Sequence, residues 1–157
     1  MGKQGFETFH RRTRACAEAQ VVSSVDLVWR EEYSVNIQRI DNHHRRLFEM
    51  SNRLIEAVRL GKGQTEMGEA LDFLMGYAMY HFSEEEALLE RYGYPEGAGH
   101  AARHRRLMAQ VRELEERLSA ATITADEVLT FLQDWIVNHI LMEDRRYAPF
   151  INSKGVY

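Results

Sequence analysis

The chain has 157 residues, 45% of them hydrophobic and 28% charged, which is the balance of one globular domain with a substantial core. Its 24 acidic and 20 basic side chains give a net charge of −4, so it lacks the basic excess of a nucleic-acid-binding protein. The longest apolar runs are far too short to span a membrane, and no membrane partner is expected.

The first segment, residues 1–26, is interpreted as an N-terminal arm that precedes a folded domain over residues 27–157. Phe6 and Phe9 could dock the arm on this domain or on a partner, but a loosely attached arm is the simpler interpretation. The start of the arm is polar and mildly basic and lacks the apolar stretch of a secretory signal. The single cysteine, Cys16, can form no disulfide within the chain, and we expect a cytoplasmic protein.

Four segments with apolar residues at helical spacing follow, separated by breaks rich in glycine, proline or small polar residues. They are predicted as helices over residues 37–60, 65–92, 98–119 and 125–147. Thr124 is expected to cap the fourth helix, and Pro149 to limit its end. Four helices joined by short loops predict an all-α fold, an up-down-up-down antiparallel four-helix bundle with an N-terminal extension.

Histidine and acidic side chains interrupt the apolar faces of all four helices. They are His44 on the first, His81 and Glu85 on the second, His100 and His104 on the third, and His139 and Asp144 on the fourth. In an alternating bundle the starts of the first and third helices meet the ends of the other two, so all seven are expected at one end of the core. Because His139 and Asp144 are five residues apart, either the carboxylate reaches round or the helix is locally distorted.

Each of these residues has an ordinary structural explanation when it is taken alone. A single histidine on an apolar stripe is more often a hydrogen-bonded core residue, and His100 and His104 could be solvated among Arg103, Arg105 and Arg106. Together the seven favour metal, because burying so many imidazoles and carboxylates without a cation would be strongly destabilising. The set is too large for one tetrahedral zinc and suits two carboxylate-bridged metals, iron among others.

The motifs around these residues resemble those of the hemerythrin family: "IDNHHRRL", "HFSEEE", "HAARH" and "HILMED", preceded by Trp29 and "YSVNI". The resemblance covers about residues 27–152 and rests on the ordered spacings His, His-x3-Glu, His-x3-His and His-x4-Asp. The family usually has glutamine before the first ligand, where this chain has His43. We favour His44 as the ligand, from its distance to Asp41 and its place on the apolar stripe. His43 would then either contact the ligands without binding metal or be exposed.

The resemblance implies reversible O2 binding at a centre of two iron ions per chain. His100, His104 and His139 would hold one iron and His44 and His81 the other, while Glu85, Asp144 and an oxo or hydroxo group would bridge them. The second iron then keeps one coordination position open for O2. The family pattern also implies that six residues line or shield the O2 pocket, although core packing alone could account for them: Leu47, Phe82, Trp135, Ile136, Ile140 and Tyr147.

Oxygen storage, delivery or scavenging is therefore the expected function, with no catalytic residue assigned. Two alternatives stay open. One is an oxygen or redox sensor that acts through a partner, and the N-terminal arm is the segment that would bind this partner. The other is a di-iron oxidase, peroxidase or nitric-oxide-reducing enzyme, for which Tyr147 and His43 are the candidate proton-delivery groups. The expected partners are O2 and an unidentified oxygen-consuming protein.

Overall fold

Four long helices make up most of the computed structural model, which describes residues 26–157. Helix α1 is Gln38–Arg59, α2 is Gln64–Tyr92 and α3 is Gly97–Ser119, and a 3-10 turn, Glu31–Tyr33, precedes them. The fourth helix is continuous but consists of α4 (Ala125–Leu132), the π-helical segments Gln133–Val137 and Ile140–Asp144, and α5 (Arg145–Asn152). α2 packs against α1, α3 and α5, and α1 also packs against α4. The predicted all-α four-helix bundle is confirmed.

Local sequence sets several of the helix ends. Gly93 ends α2 with φ = 67°, a left-handed conformation that glycine adopts without a steric cost, and its N–H donates to the Glu90 carbonyl. Thr124 caps α4 as predicted: its hydroxyl accepts the N–H of Glu127, and the Glu127 carboxylate accepts the N–H of Thr124. These caps supply partners for backbone groups that a helix end leaves unpaired.

The prediction that Pro149 limits the fourth helix near residue 147 is wrong, because the helix continues through Pro149 to Asn152. Proline removes one backbone hydrogen bond and commonly ends a helix. Here the last turns are buried: Tyr147 and Ile151 are fully inaccessible and share an apolar cluster with Leu89 of α2. Tertiary packing therefore outweighs the local preference.

Residues 26–37, which include the 3-10 turn, form a strap that runs along α1. The Leu27 backbone exchanges two hydrogen bonds with the Asn52 side chain of α1, at 2.8 and 2.9 Å. Farther along, the buried Asp41 carboxylate accepts the hydroxyl of Ser34 at 2.6 Å and the N–H of Val35 at 2.9 Å. The strap is thus hydrogen-bonded to α1 at two positions, Asn52 and Asp41.

The predictions about the N-terminal arm, including those for Phe6, Phe9 and Cys16, lie outside the described residues. Asp26, the last residue of the predicted arm, is described and lies 3.6 Å from the Arg59 guanidinium. Within residues 26–157, no helix is long and apolar enough to cross a membrane.

Candidate metal centre

A polar layer separates two apolar clusters in the bundle core. The larger cluster includes Leu47, Phe82 and Ile140, and the smaller one includes Ile40 and Leu89. On α1, α2 and the fourth helix the polar layer lies between members of the two clusters, and on α3 it precedes the members of the larger one. All seven predicted ligands are buried, each exposing between 0% and 8% of its surface: His44, His81, Glu85, His100, His104, His139 and Asp144. The expected convergence at one end of the bundle is therefore present.

The potential ligand atoms fall into two overlapping groups, within each of which all atoms lie within 4.8 Å of one another. One group combines the two carboxylates with His100, His104 and His139, and the other combines the same carboxylates with His44 and His81. Glu85 and Asp144 are the shared members. The structure thus separates three histidines from two and places both carboxylates between them, the division that the resemblance implies.

Glu85 faces three imidazoles and one phenol. Its Oε2 atom lies 3.1 Å from His104 Nε2, 3.3 Å from His100 Nε2 and 3.9 Å from His81 Nε2. Its other oxygen, Oε1, accepts the hydroxyl of Tyr147. The carboxylate is therefore held by the phenol on one oxygen and directed at the histidines with the other.

Asp144 occupies the corresponding place on the fourth helix. Its Oδ1 atom lies 3.0 Å from His139 Nε2 and 3.5 Å from His100 Nε2, and its Oδ2 atom lies 3.2 Å from His44 Nε2. All five imidazoles accordingly turn Nε2 toward a carboxylate, with Nδ1 as the outer ring atom.

Burial and the facing groups favour ionised carboxylates and a neutral His81, whereas at His139 the Asp144 carboxylate outweighs burial and raises the pKa. Burial alone would raise the pKa of Glu85, but His100 and His104 outweigh it and hold that pKa well below its usual range. The pKa of Asp144 is lowered in the same way: His139 and His44 outweigh burial and the nearby Glu85 charge. Burial lowers the pKa of His81 to about 3. Deprotonated carboxylates and neutral imidazole are the forms that bind metal.

Several buried polar atoms lack a hydrogen-bond partner, which is the observation that tests the fit of a cation. Both oxygens of Asp144 are fully buried without a hydrogen bond of acceptable geometry, and so is Nε2 of His44. An isolated buried carboxylate costs several kcal/mol or more unless a positive charge or hydrogen bonds compensate it. A metal ion between the two shared carboxylates would supply the missing partner for these atoms, so the residues present fit a bound cation.

The spacing of His139 and Asp144 is explained by a local distortion of the helix. The π-helical segment Ile140–Asp144 follows His139 directly. A π-turn closes i→i+5 hydrogen bonds, so its wider turn brings residues five apart onto one face. Of the two alternatives considered from the sequence, distortion is the one the structure adopts.

The structure gives His44 and His43 different positions relative to the centre. His44 exposes none of its surface and its Nε2 atom faces Asp144, whereas His43 belongs to neither ligand group. The His43 ring contacts Tyr80 and lies 5.7 Å from the His81 ring, centroid to centroid. Because it exposes only 8% of its surface, the alternative of an exposed His43 is excluded. Burial, Arg39 and His44 lower its pKa.

A small apolar cavity adjoins the two-histidine group. Its volume is ≈ 10 Å³, counted as the space open to the centre of a water-sized sphere. That is about enough for one molecule of this size. Five of the six residues assigned to an O2 pocket line it, together with His44, His81 and His139: Leu47, Phe82, Trp135, Ile136 and Ile140.

Tyr147, the sixth residue assigned to the pocket, does not line this cavity and instead contacts Glu85 through its hydroxyl. Leu107 lines the cavity but was not assigned to it. Its position on the α3 stripe, one turn after His104, is the sequence signal that could have identified it. The cavity therefore draws its lining from all four helices, α3 included.

Residues 35–151 match the sequence model of the Hemerythrin HHE cation binding domain. A bacteriohemerythrin of Stenotrophomonas maltophilia is 37% identical over 127 residues, 81% of this chain and 82% of the relative. A bacteriohemerythrin of Methylococcus capsulatus is 32% identical over 123 residues, 78% and 93% of the two chains. A crystal structure of wild-type hemerythrin superposes with a TM-score of 0.72 at 31% identity, covering 81% of this chain and 98% of that one.

Proposed function

The chain belongs to the hemerythrin family, and from that premise we propose that it binds O2 reversibly at a non-haem centre of two iron ions. The observation that carries the proposal is the division of one buried layer into three-histidine and two-histidine groups that share Glu85 and Asp144. We assign one iron to each group and both carboxylates as bridges, with an oxo or hydroxo group as the third bridge.

Counting ligands gives the two positions different roles. His100, His104 and His139 would give one iron three imidazoles, and the other iron, held by only two, would keep a place open for O2. His44 and His81 form the smaller group, and both line the apolar cavity. Two ferrous ions would supply the electrons that O2 takes up on binding and returns on release. The protein's own contribution is to hold the ligands, shape the cavity and exclude water.

Metal analysis and absorption spectra test this function directly. The purified protein is expected to carry two irons per chain. The reduced form should develop a charge-transfer band in air that disappears under argon and returns on re-aeration. One zinc per chain with no iron after anaerobic expression would contradict the proposal, and so would a band that never reverses.

Replacement of Ile136 tests the role of the cavity. Ile136 is 3% exposed, lines the cavity and precedes His139 by about one turn. Ile136→Asn brings hydrogen-bonding groups that make an ordered water plausible there. The oxygenated form should then oxidise irreversibly to the ferric state much faster, at unchanged iron content.

The measurement is the decay of the oxygenated band at fixed pH. Ile136→Val is the matched control, because it opens space without adding polarity, and its decay should stay close to that of the parent protein. Equal decay in the Asn and parent proteins, with intact iron loading, would mean that Ile136 serves only in core packing.

A di-iron enzyme is the second candidate function, and the contact between Tyr147 and Glu85 is the observation that favours it. A phenol beside a bridging carboxylate could deliver a proton to a substrate. However, burial and the Glu85 charge raise the pKa of Tyr147 well above its usual value, so its proton is held at Glu85. Among the described residues that line the cavity, none is an acid, alcohol or amide. We therefore propose a binding protein rather than an enzyme; sustained turnover of an added reductant in air would reverse that choice.

The remaining expectations stay predictions: a cytoplasmic location, an oxygen-consuming protein partner and the absence of nucleic-acid binding. A sensor role would act through residues 1–26, most of which lie outside the described part of the chain. Storage, delivery and scavenging share the same site chemistry, and O2 affinity together with release rate would distinguish them.

A further inference from the structure

Glu86, which the sequence places on an ordinary charged face of α2, contacts one of the proposed ligands from outside. Its Oε1 atom lies 2.7 Å from Nδ1 of His104, the ring nitrogen that faces away from the site. A histidine that binds metal through one nitrogen usually donates its other N–H to a carboxylate, carbonyl or water. Such a donation fixes the tautomer and the ring orientation and makes the ligand more basic.

Three other imidazoles of the layer are not supported in this way. The Nδ1 atoms of His44, His81 and His100 are buried and have no hydrogen-bond partner among the described residues. His104 is thus the member of the set whose outer nitrogen meets a carboxylate. Because His104 belongs to the three-histidine group, this negative charge is added at one end of the centre only.

Helix α2 fixes the His104 ring on two sides. The ring of Phe82 stacks on it at 3.9 Å between centroids and 12° between planes, and Glu86 follows Phe82 by four residues on the same helix face. The stacked Phe82 therefore opposes tilting of the ring, and the hydrogen bond to Glu86 opposes its rotation. With Nδ1 directed at Glu86, Nε2 is the ring nitrogen that faces the site, 3.1 Å from Glu85 Oε2.

We propose that Glu86 is a positioning residue that orients His104 and lowers the reduction potential of the three-histidine end of the centre. This inference rests on the proposed function, because it requires metal at that end. A carboxylate hydrogen-bonded to a ligand donates electron density through the imidazole and stabilises the higher charge of a ferric ion. The two ends would then differ in electronic character as well as in ligand number.

The first experiment uses Co2+ as the probe of the metal-free protein, with binding followed by absorbance. Glu86→Ala removes the charge and the hydrogen bond and should weaken Co2+ binding about 10- to 100-fold, the usual cost of losing such a partner. Glu86→Gln keeps an acceptor and should lose less. Glu90→Gln is the matched control, because it removes the same charge from an exposed position one turn farther along α2.

The second experiment measures the reduction potential of the iron-loaded proteins. Glu86→Gln should shift it to a more positive value, whereas Glu90→Gln should leave it unchanged. The Tm of the metal-free forms should be similar in all variants, because the Glu86 side chain is 39% exposed and packs little. A purely structural role would move this Tm and leave the potential alone.

The outcomes separate the inference from the proposed function. If the parent protein binds no Co2+, the proposed metal centre fails and the inference fails with it. If the parent protein binds Co2+ but Glu86→Gln keeps the parent potential, the inference is overturned while the proposed function stands. A positive shift in Glu86→Gln, absent from Glu90→Gln, supports it.

Discussion

Removing iron from the loaded protein is expected to lower its Tm by roughly 10 °C or more. The seven proposed ligands come from all four helices, so the free energy of metal binding would add to the free energy of folding. A ligand present at a thousand times its Kd adds about 4 kcal/mol, and each kcal/mol moves the Tm of a chain of this size by about 2–4 °C. The metal-free protein must also bury Asp144 without a hydrogen bond.

Thermal unfolding of the loaded, stripped and refilled protein measures this effect. Refilling with ferrous iron under argon should restore the original Tm, which controls for damage during stripping. A stripped protein that melts at the temperature of the loaded form would mean that other contacts hold the layer together without metal.

His44→Ala is expected to abolish the oxygenated band, whereas His43→Ala should retain it. His44 is one of only two histidines in the smaller group, and its loss would leave that iron with His81 and the bridges. His43 has no atom in either group and packs instead against Tyr77 and Tyr80. Its truncation should cost stability of about 1–3 kcal/mol, the usual penalty for deleting a buried side chain.

The two variants control for each other, because they make the same change at adjacent buried positions. Iron content and the oxygenated spectrum should separate them, while His43→Gln should match the parent protein in both. Loss of the spectrum in His43→Ala with retention in His44→Ala would place the ligand one residue earlier on α1.

The helices and the polar residues of the buried layer could be predicted because both depend on local sequence. Apolar residues at helical spacing mark the face that must be buried, and residues such as Gly93 and Thr124 mark the ends. The same periodicity puts His81 and Glu85, or His100 and His104, on one face of a helix whatever the rest of the chain does. The order of elements then fixes which end of the bundle receives them.

Other features could not be predicted because they depend on contacts between distant segments. Pro149 favours a helix end, but the burial of Tyr147 and Ile151 against α2 carries the helix past it. Tyr147 shares the apolar pattern of a pocket residue, and only the approach of α2 directs its hydroxyl to Glu85. Glu86 looks like any exposed acid until α3 brings His104 within 2.7 Å.

The sequence by itself determined four amphipathic helices, their order, and the number and kind of side chains available for metal, because periodicity and residue chemistry are properties of each segment. The tertiary structure decided which of two neighbouring histidines faces the centre and how the five imidazoles divide around two carboxylates. It also decided that a π-turn brings Asp144 onto the face of His139. These choices depend on side-chain contacts of a few ångströms between helices, which are set by packing between segments remote in the chain and leave no periodic signal in any one of them.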